Sequence, residues 1–173
     1  MLQMKGVICV HRAIDVAEYF LSKDPERKLF TKKLQTKNGR KFYEGNARLN
    51  KYLHMAQNVF IAKTGERLFG DNLYAYDNGA VAVDVQENYS VLWSRCNAPA
   101  FTPELVAFLD KLYFILENAP LDELIEISHE DPEWADKHRG YSKESQRMDS
   151  LSRFAEYKKQ YADVIEMMER ISI

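Results

Sequence analysis

Four histidines, His11, His54, His129 and His138, are the residues of this 173-residue chain whose unperturbed acid–base chemistry falls nearest neutral pH. Only His129 sits in a suggestive place, in SHEDPEW (128–134), where Glu130, Asp131 and Glu133 follow it. That arrangement could make His129 a general base or a metal ligand beside an acid. The same acids at the start of a helix are ordinary capping and dipole chemistry, however. No second histidine lies close in sequence and no nucleophile is evident. His129 therefore reads as a structural hydrogen-bonding residue packed beside Trp134. GxGxxG, GxxxxGK[ST], HExxH and GxSxG are all missing from the sequence, which removes the signals of phosphate cradles and two common hydrolase classes. Cys9 and Cys96 stand alone, without CxxC or zinc spacing, and read as reduced thiols of a cytoplasmic protein.

The second candidate chemistry is recognition. Tyr74, Tyr76, Tyr89 and Tyr113 combine an apolar ring with a polar tip, the type enriched at interfaces. Tyr89 and Tyr113 fall on apolar stripes and belong to the core. Tyr74 and Tyr76 share one parity of a short strand beside a turn and remain candidates for partner contact. The segment 23–51 carries ten Lys or Arg against three acids, whereas 102–173 holds sixteen acids against nine bases, within a net charge of −2. A basic finger could meet an acidic partner or a phosphate backbone. A solvated hairpin kept soluble by its lysines is the stronger reading. It lacks a recognition-helix pattern and the interleaved aromatics of RNA readers, which argues against nucleic acid.

The elements that position these residues follow from periodicity. Leu49, Tyr52, Leu53, Ala56, Val59, Phe60 and Lys63 recur at helical steps and predict a helix over 47–64, capped by Asn46 and ended by Gly65. A first helix is expected over about 11–22, stopping near Asp24-Pro25. Residues 24–45 form a basic, hairpin-like insertion turning at Asn38-Gly39, and Asp77-Asn78-Gly79 marks a second tight turn. Helices are expected over 83–94 and 103–117, the latter starting from Thr102-Pro103-Glu104. Short helices follow at 121–127 and from Asp131-Pro132, and a long one runs from Ser142 to about 171. The expectation is one domain over 1–173. It is mainly α with minor β: a compact domain of about six helices with one or two short β-hairpins. No apolar run approaches a membrane span, and the first fifteen residues are too polar for a secretory signal.

Three pieces, taken in order, resemble a known family. They are AIDVAEYFL (13–21), then RLNKYLHMAQ (48–57) with TGERLF (64–69) and AYDNGAV (75–81), then ELIEISHEDPEW (123–134). Leu49, Lys51, Leu53, Ala56 and Gln57, then Gly65, Leu68, Phe69, Asp71, Ala75, Gly79 and Val81, then His129, Pro132 and Trp134 carry the match. Together they resemble the Panacea-domain (SocA-like, GepA-like) antitoxins, phage- or mobile-element-associated proteins, over about 11–140. The chain departs from that pattern at Tyr52, His54 and Ala80, the last where the family has a proline. The resemblance implies a helical fold with no enzymatic activity and no cofactor or metal. It implies a cognate toxin protein as partner, encoded beside this chain, with delivery of that partner to a protease as the alternative role. Partner-contact candidates are Lys51, His54, Tyr74, Tyr76, His129 and Trp134, with Lys51 and His54 placed on or near the polar side of the 47–64 helix.

Overall fold

A computed structural model describes residues 11–37 and 39–172. The readings for Cys9, for Asn38 and for the order of the first ten residues lie outside the described residues.

The fold is mainly α with two small antiparallel hairpins, as the sequence leads one to expect. Its axis is α2 (Glu44–Thr64). Every residue from Leu49 to Val59 is buried, so this helix is enclosed on all sides. Around it pack α1 (Ala13–Ser22), α3 (Val83–Glu87), α5 (Pro103–Leu116), α6 (Leu121–His129), α8 (Phe154–Gln160) and α9 (Ala162–Glu169). Also against it lie β2 (Arg40–Tyr43), paired with β1 (Leu34–Lys37), and β4 (Gly79–Val81), paired with β3 (Tyr74–Tyr76). The remaining helices are α4 (Tyr89–Ser94) and α7 (Pro132–Lys137).

Local chemistry accounts for most boundaries. The α2 helix ends at Gly65, whose φ of 74° is the left-handed stop expected of it. The Thr102 hydroxyl accepts from the Leu105 N–H, and the Asp131 carboxylate accepts from the Glu133 N–H, each with a proline at the next position. Asp71 does the same at long range: its carboxylate accepts from Ala13 N–H at 2.8 Å and caps α1. The loop after α1 is knitted by Asp24, which accepts backbone N–H bonds from Lys28, Leu29 and Phe30, each at 2.9 Å. The basic segment 24–45 is thus an ordered loop followed by the expected hairpin. Gly45 lets α2 touch that loop. A Cβ there would overlap the Phe30–Thr31 backbone and the Tyr89 hydroxyl.

Four expectations are corrected. The α2 helix starts at Glu44, so Asn46 is not its cap; the Asn46 amide donates to Gln86 O at 3.1 Å and holds α3. The expected helix 83–94 breaks at Asn88 into α3 and α4. The α6 helix continues through His129 rather than yielding at Ser128. The long helix 142–171 does not form. Ser142 does receive the Ser145 N–H at 3.2 Å, as a cap would. The chain is then pulled extended beside β3, with Ala75 N–H donating to Gln146 O at 2.9 Å and Met148 N–H to Leu73 O at 2.8 Å. Helical torsion angles are incompatible with that pairing, so helix resumes only in a 3-10 turn at Ser150–Arg153 and then in α8 and α9. Among the described residues no helix is long and apolar enough to cross a membrane.

Candidate functional site

The site grows from the polar residues of α2. Asn50, Lys51, His54, Gln57 and Asn58 are spaced so that they emerge on adjacent turns, and all five are buried. The reading that put Lys51 and His54 on the polar side of the helix is therefore corrected: they are 3% and 2% exposed. There is no polar side here, because the partners of these residues come from other segments. Gln57 Oε1 accepts from Leu68 and Phe69 N–H at 2.8 and 3.2 Å, and its amide donates to Phe69 O at 2.9 Å. Asn50 Oδ1 accepts from Ala82 N–H at 2.9 Å. Lys51 Nζ donates to Ala80 O at 3.2 Å. Each bond satisfies backbone that the short, irregular stretch 68–82 leaves unpaired.

Asp131 ties the far end. It is fully buried and accepts from His54 Nε2 at 2.6 Å, Asn58 Nδ2 at 2.8 Å, Tyr157 OH at 2.7 Å and Glu133 N–H at 2.8 Å. Burial alone would raise its pKa. The hydrogen bonds from His54, Asn58 and Tyr157, with the His54 charge, outweigh that and hold the carboxyl below its ordinary value. Asn58 also donates to Tyr161 OH at 3.0 Å, so α2, α7, α8 and the junction before α9 meet at one acid.

A second cluster faces outward. The Trp134 ring lies between His129 (centroids 4.0 Å apart, 15° between planes) and His138 (4.4 Å, 18°). This stack clamps the β3–β4 turn. Trp134 Nε1 donates to Tyr76 O at 2.9 Å, His138 Nε2 to Asp77 Oδ1 at 3.0 Å, and His129 Nε2 to Asp77 O at 3.2 Å. The expectation that His129 is a hydrogen-bonding residue beside Trp134 describes this geometry. Burial, the largest influence on His129, lowers its pKa. Tyr74 and Tyr76 are half-buried on the same hairpin, 6.3 Å apart, with Lys143 Nζ 5.4 Å from the Tyr74 ring. Tyr89 and Tyr113 are buried in the core.

Gly79 closes the turn with φ +113°, and a Cβ there would strike Ser128 Oγ and lie 2.6 Å from Lys51 Cε. Gly79→Ala is expected to lower stability by at least about 1–3 kcal/mol, read by urea unfolding. Lys51 itself makes a pH-dependent prediction. Burial pushes its amine down to about 7 from 10.5. Between those values the unfolded chain binds the extra proton, so the Lys51 contribution to stability rises with pH. The wild type is expected to gain stability relative to Lys51→Met as pH rises from about 7 towards 10. Denaturant titrations across that range measure it.

The three quoted motif pieces thus meet in space. Residues 48–57 hold the backbone of 68–82, and Asp131 holds His54. What the spacing missed are the partners beyond the motifs: the donors Asn58 and Tyr157, and Tyr161, which accepts from Asn58. Helical periodicity scores them only as stripe residues or neutral positions, and nothing local tells a buried amide from an exposed one. This is a helical scaffold whose interior polar groups are bonded to other segments of its own chain, with two short hairpins packed against its axis. The family model described as "Antitoxin SocA-like, Panacea domain" matches residues 49–135, half of the chain, and the chain belongs to that family. No curated protein and no solved structure matches it.

Proposed function

We propose that this protein is an antitoxin, a cytoplasmic binding protein that neutralises a cognate toxin protein by direct contact and carries out no catalysis of its own. The family match over residues 49–135 carries the proposal. The geometry supports it: His54 and Asp131 are sealed in the interior, where a substrate does not reach them. The outward groups are suited to recognition instead. The β3–β4 hairpin offers Tyr74 and Tyr76, clamped from behind by His129 and Trp134, and the β1–β2 hairpin offers exposed cations at Lys37, Arg40 and Lys41. In this reading Tyr74, Tyr76 and His129 contact the partner, whereas His54 and Trp134 hold those contacts in place.

The experiment is co-expression with the neighbouring gene. The neighbour alone is expected to arrest growth and the pair to grow normally. An arrest that persists with this protein present, or a neighbour with no toxicity, overturns the proposal. Following the toxin's half-life in the same cells separates sequestration (unchanged half-life) from delivery to a protease (shortened half-life).

A further inference from the structure

Lys51 is the one buried lysine or arginine among the described residues, and no carboxylate of the described chain pairs with it. Its Nζ has one protein acceptor, Ala80 O, and three N–H groups to place. It lines a cavity of about 120 Å3 that opens between the two hairpins. Phe42, Ala47 and Val81 supply apolar lining, and Lys37, Arg40 and Lys41 bring three more cations to it. The acids nearby are already engaged: Asp77 with His138, and Glu44 with the Gln35 amide. A fold that buries Lys51 at the edge of a small cavity and gives it no counterion carries a desolvation cost that an anionic ligand can relieve.

We propose that this cavity takes a carboxylate of the partner protein, a Glu side chain or a chain terminus, inserted between the hairpins to pair with Lys51. The apolar lining fits a short aliphatic stem, and the exposed cations attract an acidic segment before it docks. The volume argues for a protruding group on a larger molecule. It is well below the roughly 300–1,000 Å3 of pockets that enclose whole small ligands. This rests on the antitoxin reading, which supplies the protein partner.

Two measurements test the pocket and that reading separately. In the first, glutarate, its neutral counterpart glutaramide, and inorganic phosphate are titrated into the 15N-labelled protein. Glutarate is expected to shift the amide resonances of Asn50, Lys51 and Ala80, and glutaramide not to. Lys51→Met, which removes a buried charge and keeps the fold, is expected to weaken glutarate binding tenfold or more. No glutarate shift, an equal shift with glutaramide, equal binding by Lys51→Met, or tighter binding of phosphate overturns the carboxylate pocket. In the second, Lys51→Met replaces the wild type in the co-expression assay. Loss of neutralisation by a folded Lys51→Met supports the pocket as the partner's docking site, and full neutralisation overturns it. If the wild type itself fails to neutralise, the antitoxin reading falls and the proposed occupant with it, while glutarate binding still decides whether the cavity holds a carboxylate.

Discussion

Asp131→Ala is expected to lower the free energy of unfolding by about 3–5 kcal/mol. Four donors converge on this carboxylate, three of them side chains on other segments, and alanine leaves His54, Asn58 and Tyr157 facing an empty interior. For a chain of this length each kcal/mol moves the melting temperature by roughly 2–4 °C, so a drop of about 10 °C should be visible by calorimetry. Asp131→Asn keeps the shape but not the charge and is expected to lose less. An alanine variant within about 1 kcal/mol of the wild type would mean that the network adds little. The acid limb gives an independent check. Because the folded-state pKa of Asp131 is depressed, its contribution is complete above the ordinary carboxylate range and is lost as pH falls through the folded value. Asp131→Asn should therefore have a flatter acid limb than the wild type.

Trp134→Ala should lose a comparable amount, about 3–5 kcal/mol, by removing a large buried side chain. Its particular effect is on the hairpin. Without the indole, His129 and His138 lose the surface they stack on and Tyr76 O loses its donor. Trp134→Phe separates the two roles, since it keeps an aromatic surface and deletes only the N–H, at about 1 kcal/mol. Hydrogen exchange at Asp77–Gly79 is expected to quicken in both variants, more in alanine. Unchanged exchange in the alanine variant would show that the clamp does not hold the turn. The histidines add a pH signature. Since the pKa of His129 is lowered, its share of stability is complete above about 6.5 and declines as pH falls below it.

Much of the scaffold was legible because its signals are local. Gly65, Thr102-Pro103 and Asp131-Pro132 mark helix ends by conformational or capping chemistry confined to a few residues. The hairpin at Asp77–Gly79 is likewise written in its turn. Two kinds of feature were not legible. Residues 142–149 carry a good cap and helical spacing, but pairing with Leu73 and Ala75 pulls them extended, and that partner lies some seventy residues earlier. Lys51, His54 and Asn58 look like the wet face of an amphipathic helix until α6, α7, α8 and α9 cover them. Polarity alone cannot distinguish a residue solvated by water from one solvated by other segments of its own chain.

That solvation by distant segments bears on how the chain is made. Asn58 leaves the ribosome 103 residues ahead of Tyr161, the hydroxyl it donates to, and His54 leaves 77 residues ahead of Asp131. At roughly 5–20 residues per second, α2 waits on the order of 5–20 seconds with its polar groups unmatched and its apolar stripe uncovered. During that interval the nascent chain exposes apolar surface of the kind that aggregates unless it is shielded. The pool of mature protein therefore follows translation with a lag set by the distance between these partners, and any process that interrupts synthesis inside that interval yields chains unable to complete the core.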